Sequence, residues 1–168
     1  MLAGQLRRWG PVATCRFDPQ PVPPGVSDEG VLYAAAAVPT ALAETFQAAR
    51  LIDRHAGAPY LSGLTVAREL VVLDTGGPWP TRAGASQALN SGRRDTARAW
   101  ARAIRAAFPT LDGLSYPSSM NGGQRCLVLW TPAQDALPEL PVFSRALSEP
   151  ALADRLAGAA TRLGYRLL

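Results

Sequence analysis

The sequence contains no lysine, and it has one histidine, His55, and two cysteines, Cys15 and Cys126. Zinc sites and histidine-based catalytic triads depend on residue types that are nearly missing here, so most of these chemistries are excluded. The two thiols are predicted to be isolated and reduced, which is typical of a cytosolic protein. An enzyme with this composition would work with carboxylates, hydroxyl groups, arginines and a bound ligand, and we expect no metal.

Long apolar runs are also missing. No stretch approaches the roughly 20 apolar residues of a membrane helix, and the N-terminal sequence MLAGQLRRWGPVATCRF lacks the apolar core of a signal peptide. We therefore predict a cytoplasmic protein. The glycine-rich pieces GGPWP and NGG match neither the dinucleotide fingerprint GxGxxG nor the phosphate loop GxxxxGK[ST], and we interpret both as turns.

The 168 residues, of which 48% are hydrophobic, suit one compact domain spanning residues 1–168. The sequence pattern predicts a proline-rich irregular segment at 1–30, a short buried strand at GVLYAAA, a helix at 40–54 and a strand at 67–75. It then predicts a helix at 93–108, a short strand, a loop and a core strand in that order within LDGLSYPSSMNGGQRCLVLW, and a last helix within SEPALADRLAGAATRLG. Because strands and helices mix without a regular βαβ alternation, we predict an α+β fold.

The helix predicted at 93–108 carries a row of arginines opposite its apolar face: Arg94, Arg98, Arg102 and Arg105. Such a row can contact nucleic-acid phosphates or an acidic partner, and a pI of about 9.7 permits either. The alternative is the solvated face of an amphipathic helix, which we favour because no nucleic-acid motif accompanies the row. A non-enzymatic, arginine-faced binding module therefore remains a second hypothesis.

Glu44 lies in the stretch VLYAAAAVPTALAETF, among small and apolar residues. At 100° per residue it falls at the edge of the apolar face of the predicted helix, with Gln47 on its polar side. Periodicity alone favours an ordinary boundary glutamate whose carboxylate lies in water. Its helical neighbours Ala41 and Ala48 are small, however, and they would leave room for a ligand beside the carboxylate.

Four other residues have ordinary interpretations when each is considered alone. Tyr33 is typical of a core aromatic residue in a buried strand, and Arg16 could pair with Asp18. Ser118 and Ser119 are typical turn residues.

Considered together, the motifs resemble a known family. The order CRFDP, GVLYAA, PTALAETF, LVVLD, ARAWARAI, LDGLSYPSS and CLVLW resembles the RES domain, a bacterial family named for its Arg, Glu and Ser. The resemblance runs over residues 15–130, and its most specific parts are the tyrosine-bearing strand leading into ALAE and the piece DGLSYPS after a tryptophan-containing helix. The proline-rich segment PQPVPPGVSDEG departs from the family pattern.

The resemblance implies a fold related to ADP-ribosyltransferases, with two small sheets that grip NAD in a cleft. It also implies a toxin of a toxin–antitoxin pair that breaks the nicotinamide–ribose bond of NAD. Family members of this kind act as NAD phosphorylases or NAD-degrading enzymes, and some relatives ADP-ribosylate a protein.

The resemblance also assigns roles to residues. Glu44 would stabilise the ribose cation, Arg16 would bind the pyrophosphate, and Tyr33 would offer a flat face to the nicotinamide or its ribose. Ser118 would hydrogen-bond the nicotinamide amide or the ribose, with Ser119 as the alternative if the loop is shifted by one residue. The implied partners are inorganic phosphate as co-substrate and an Xre-like antitoxin that blocks the active site.

Overall fold

The computed structural model describes residues 4–168, and its mixture of helices and small sheets confirms the predicted α+β class. The strands are β1 (Arg7–Gly10), β2 (Gly25–Ala35), β3 (Leu51–Ile52), β4 (Tyr60–Gly63), β5 (Val72–Asp74), β6 (Gly113–Pro117), β7 (Arg125–Trp130), β8 (Phe143–Ala146) and β9 (Arg166–Leu167). The α-helices are α1 (Val38–Thr45), α2 (Trp79–Arg82), α3 (Arg94–Ala107) and α4 (Ala153–Leu163). Short 3-10 helices occupy Gln87–Asn90, Thr131–Ala136 and Pro150–Leu152.

The main sheet has five strands in the order β1-β2-β7-β6-β5, and all its pairs are antiparallel except β5 with β6. The pairs β3-β9 and β4-β8 form two separate two-stranded sheets. In the centre of the main sheet, Tyr33 of β2 is opposite Val128 of β7, and Tyr116 of β6 is opposite Cys126 of β7. Three strands therefore present their side chains to one region of the sheet.

Two apolar clusters hold these elements. The first joins the main sheet to α3 around Phe17, Ile104 and the fully buried Trp130. The second joins α1 to α4, β3 and β9 around Leu42, Ile52 and Leu156. The sheet and α1 thus belong to different clusters, and a cleft can open where the two meet.

Gly113, in the motif DGLSYPS, allows β6 to approach β7 closely. A Cβ at this position would lie 2.0 Å from the carbonyl oxygen of Val128, so only glycine fits. The neighbouring Asp112 is buried and accepts 2.8 Å hydrogen bonds from both terminal nitrogens of Arg68 and from the Val71 N–H. The pair Asp112-Gly113 therefore fixes where β6 begins, and with it the position of the residues that follow.

The predicted helix at 93–108 agrees closely with α3, but the helix predicted at 40–54 is too long. The observed α1 is Val38–Thr45, and turns follow it until Arg50, whose φ of 48° lies in the left-handed region. Ile52 then pairs with Leu167 in β3-β9 instead of continuing the helical face. The strand predicted at 67–75 is likewise reduced to Val72–Asp74, whereas β2 begins at Gly25, inside the segment predicted to be irregular.

In residues 4–168, none of the helices combines the length and apolar character required to cross a bilayer.

Candidate functional site

A cleft of about 750 Å³ lies where the main sheet, α1 and the N-terminal end of α3 meet. Its lining comes from a loop before β2, from β2, from α1 and the turn after it, from Asn90 and Arg94, and from the region of β6 and β7. The lining residues are Thr14, Cys15, Arg16, Tyr33, Ala34, Ala35, Ala41, Glu44, Thr45, Gln47, Ala48, Asn90, Arg94, Tyr116, Ser119 and Cys126. Four of the five residues singled out from the sequence, Arg16, Tyr33, Glu44 and Ser119, therefore line one cleft.

The loop that carries Arg16 is held from several sides. The next residue, Phe17, is fully buried. Its backbone N–H donates to the Tyr33 hydroxyl at 2.9 Å, and its carbonyl accepts from the Trp130 indole N–H at 3.2 Å. Arg98 of α3 donates to the carbonyl of Cys15 at 3.0 Å. Arg16 itself donates to the carbonyl of Gly92 at 2.6 Å. A rigid loop therefore fixes the guanidinium at the cleft.

Tyr33 contributes its ring to the cleft but not its hydroxyl group. The hydroxyl donates to Asp18 Oδ1 at 2.8 Å and accepts the Phe17 N–H, so both of its hydrogen-bonding functions are satisfied inside the protein. Burial and the negative charge of Asp18 raise the pKa of Tyr33 well above its ordinary value. Tyr33 can therefore present a neutral aromatic face and serves no proton transfer.

Glu44 is half-buried and receives a 2.6 Å hydrogen bond at Oε1 from the Ser118 hydroxyl. The Ser118 oxygen in turn accepts the backbone N–H groups of Met120 at 3.1 Å and Asn121 at 3.0 Å. Because these two donors occupy both lone pairs of the Ser118 oxygen, the hydroxyl proton points to Glu44. Within residues 4–168, nothing donates a hydrogen bond to the second oxygen, Oε2, which is left for the cleft.

The two serines thus differ in position. Ser118 is 4% exposed and lies behind Glu44 instead of lining the cleft, whereas Ser119 is exposed and lines it. The turn that contains them is also fastened to α1 by a 2.9 Å hydrogen bond from the Asn121 amide to Thr40 Oγ1. The predicted contact between Ser118 and a ligand remains a prediction, and the geometry gives Ser118 the role of positioning Glu44.

Arg94 and Gln47 line the cleft as well, although the sequence did not single them out as site residues. Arg94 donates to Gln47 Oε1 at 3.3 Å, and Gln47 donates from Nε2 to the backbone carbonyl of Glu44 at 2.8 Å. Burial of the Arg16 guanidinium, followed by the positive charge of Arg94, lowers the pKa of Arg16, and Glu44 opposes this shift. The cleft therefore contains two guanidinium groups and one carboxylate, a balance that suits an anionic ligand.

Three further groups of the lining are kept neutral. Burial, and then the neighbouring Cys126 and Glu44, raises the pKa of Tyr116. Burial and Glu44 raise the pKa of Cys126 to about 11, and burial and Asp18 raise the pKa of Cys15. Both cysteines are free thiols, but they line the same cleft and are less isolated than the sequence spacing indicated. Neither thiol is prepared to act as a thiolate nucleophile.

Two of the four arginines in the row on α3 are engaged within the fold. Arg98 bonds to the carbonyls of Ala13 and Cys15, and Arg105 pairs with Glu29 at 3.2 Å. Only part of the row can then meet an external phosphate backbone, which weakens the binding-module hypothesis. Arg94, which the sequence does not distinguish from the other arginines of the row, is the one at the cleft.

A model of the RES domain matches residues 7–151 of this chain. No curated protein and no solved structure matches it. The relation to ADP-ribosyltransferases therefore stays a prediction.

Proposed function

The chain belongs to the RES domain family, and we propose that it breaks the nicotinamide–ribose bond of NAD with inorganic phosphate as the acceptor. The family is linked in general to NAD-related functions of toxin–antitoxin systems. The proposal for this chain is supported above all by one observation: a carboxylate oriented by a buried hydroxyl faces the same cleft as two guanidinium groups. The cleft volume of about 750 Å³ lies in the usual range for cofactor sites.

Departure of nicotinamide leaves positive charge on the ribose ring, as in glycoside hydrolysis. The unbonded oxygen of Glu44 is suited to stabilise this charge or to hold the ribose hydroxyls, because Ser118 holds the other oxygen in place. A carboxylate oriented before the reaction needs little rearrangement as the charge develops, so its stabilisation acts mainly on the transition state.

The remaining parts of the substrate find complementary groups. The Arg16 guanidinium, on its rigid loop, offers a charge-assisted fork for the pyrophosphate. The Tyr33 ring, with its hydroxyl turned toward Asp18, offers an uncharged face for the nicotinamide or its ribose.

We propose that this activity occurs in the cytoplasm.

The proposed step balances without a metal or a redox partner. The bond between the ribose C1 and the nicotinamide nitrogen breaks, and its electron pair neutralises the pyridinium charge of the leaving group. A phosphate oxygen forms the new bond to C1 as that bond breaks, which gives nicotinamide and an ADP-ribose phosphate. Water or a protein side chain as the acceptor would give ADP-ribose or an ADP-ribosylated protein by the same bond cleavage.

Mass analysis of the products tests the proposal. The purified chain is incubated with NAD in phosphate and, separately, in a phosphate-free buffer, and Glu44→Gln is treated in parallel. We expect nicotinamide and ADP-ribose phosphate from the unaltered chain in phosphate, and almost none from Glu44→Gln. Intact NAD with the folded chain contradicts the proposal, while ADP-ribose alone or a modified protein would identify water or a protein as the acceptor.

We propose in addition that the chain acts as a toxin restrained by a small Xre-like antitoxin that covers the cleft, a role supported by the family resemblance. Expression in bacteria should lower cellular NAD and stop growth, and co-expression of the product of the adjacent gene should restore both. Glu44→Gln should be harmless at the same expression level. Growth arrest by Glu44→Gln equal to that of the unaltered chain would show that toxicity has another origin.

A further inference from the structure

Arg94 is the arginine at the cleft that is least engaged by the protein. Among residues 4–168, its one hydrogen bond goes to Gln47 Oε1 at 3.3 Å, which is long and involves a neutral acceptor. Its neighbour Arg93 is instead paired with Asp95, and Arg105 is paired with Glu29. The Arg94 guanidinium therefore keeps most of its donors for an anion, which would form shorter, charge-assisted bonds than the amide does.

Gln47 lies between Arg94 and the backbone of Glu44. This side chain accepts from Arg94 and donates to the backbone carbonyl of Glu44, so it links the guanidinium to the residue that carries the proposed catalytic carboxylate. Arg16 is fixed separately, by its loop and by the carbonyl of Gly92. An anion on Arg94 would thus lie in the cleft that Glu44 also lines.

The proposed reaction brings two separate anionic groups into the cleft, the pyrophosphate of NAD and the free phosphate. Two guanidinium groups line the cleft, and they lie close enough for Arg94 to disfavour the charge on Arg16. Two anions bound together would relieve this repulsion, whereas one anion on Arg16 would leave Arg94 uncompensated.

We propose that Arg94 binds the inorganic phosphate acceptor beside Glu44 and thereby selects phosphate over water. The proposal rests on the function proposed above. The bound phosphate uses one oxygen to form the bond to C1 of the ribose as the bond to nicotinamide breaks, and Arg94 neutralises charge on its other oxygens. Water has no charge for Arg94 to hold, so the guanidinium favours phosphorolysis over hydrolysis.

Kinetics with varied phosphate at saturating NAD test the proposal. Arg94→Ala should raise the KM for phosphate by about tenfold or more, the loss expected for a hydrogen bond to a charged group, and leave the KM for NAD unchanged. The product ratio at fixed phosphate should shift from ADP-ribose phosphate toward ADP-ribose. Arg93→Ala is the matched control, because it removes the adjacent arginine, which is 81% exposed and paired with Asp95, and it should change neither KM.

Two results would overturn the proposal. A rise in the KM for NAD without a rise for phosphate would assign Arg94 to the dinucleotide, and unchanged kinetics would remove it from binding altogether. Glu44→Gln, with Arg94 intact, should still bind phosphate.

A binding measurement separates this proposal from the proposed function. Calorimetry with inorganic phosphate alone is performed on Arg16→Ala, in which Arg94 is the remaining arginine of the cleft lining, and on Arg16→Ala with Arg94→Ala. We expect binding to the first variant and loss of binding in the second. If NAD is not consumed by the unaltered chain but this difference is found, the proposed function fails while the phosphate site stands; equal binding by both variants would refute the site.

Discussion

The two sides of the cleft hold their carboxylates in opposite ways. Asp18, behind the loop that carries Arg16, is fully buried, and it accepts hydrogen bonds from Arg7, from the Val12 N–H and from the Tyr33 hydroxyl. Glu44, on α1, has one oxygen bonded to Ser118 and the other without a donor in the described chain. A carboxylate with every position satisfied holds a loop in place, whereas one that is fixed at a single oxygen can still act on a ligand.

The largest expected effect is the loss of stability on changing Asp18 to asparagine. The amide would turn a donor toward the donors Arg7 and Val12 and leave the Arg7 guanidinium without its charge partner, so we expect a loss of about 3–5 kcal/mol in the free energy of unfolding. Urea denaturation measures this loss. A variant as stable as the unaltered chain would show that the two carboxylates are not held differently.

Glu44→Gln should produce the opposite result, with stability retained and activity lost. The amide keeps the shape and can still accept from Ser118, but it cannot stabilise a cation, so we expect NAD turnover to fall about 100- to 1,000-fold. Steady-state kinetics and urea denaturation are measured on the same sample. Glu139→Gln, at an exposed carboxylate, is the control and should match the unaltered chain in both.

Ser118→Ala should lower kcat by about tenfold, the value of one hydrogen bond to a charged group, and leave the KM for NAD unchanged, because Ser118 positions Glu44 and does not line the cleft. Ser119→Ala is the matched comparison. A larger loss of kcat in Ser119→Ala would assign the family serine to Ser119 and contradict the positioning role of Ser118.

Tyr33→Phe should have the smallest effect on NAD turnover. It removes the hydroxyl that joins Asp18 to the Phe17 N–H but keeps the ring at the cleft, so we expect a loss of about 1–2 kcal/mol in stability and little change in NAD turnover at a temperature where the variant is folded. Thermal unfolding and product formation are compared. A loss of turnover as large as that of Glu44→Gln would show that the hydroxyl acts in the reaction.

Periodicity predicted the elements that local contacts determine and failed where distant contacts decide. The helix α3 follows its apolar face of Ala97, Ala101 and Ile104, all buried, so its bounds were nearly correct. The apolar spacing that extended α1 through Ile52 was misleading, because Ile52 pairs with Leu167 of β9, far along the chain. No local pattern contains that pairing.

The candidate site divides in the same way. The small residues beside Glu44 indicated room for a ligand, and Ala41 and Ala48 do line the cleft. The hydrogen bond between Ser118 and Glu44 joins residues 74 positions apart, and that between Arg94 and Gln47 spans 47 positions. Neither pair leaves a local signal, so the position of Ser118 behind Glu44 and the position of Arg94 at the cleft became visible only in the fold.

The bonds around Ser118 have a consequence for the turn that contains it. The backbone N–H groups of Met120 and Asn121 polarise the serine oxygen, and this strengthens the hydrogen bond that the serine hydroxyl donates to the Glu44 carboxylate. Gly122 and Gly123, both with positive φ, shape this turn and face open space where their side chains would be. The backbone path of the turn therefore helps to set the charge environment of Glu44, and an insertion at Gly122 and Gly123 should change turnover although neither glycine lines the cleft.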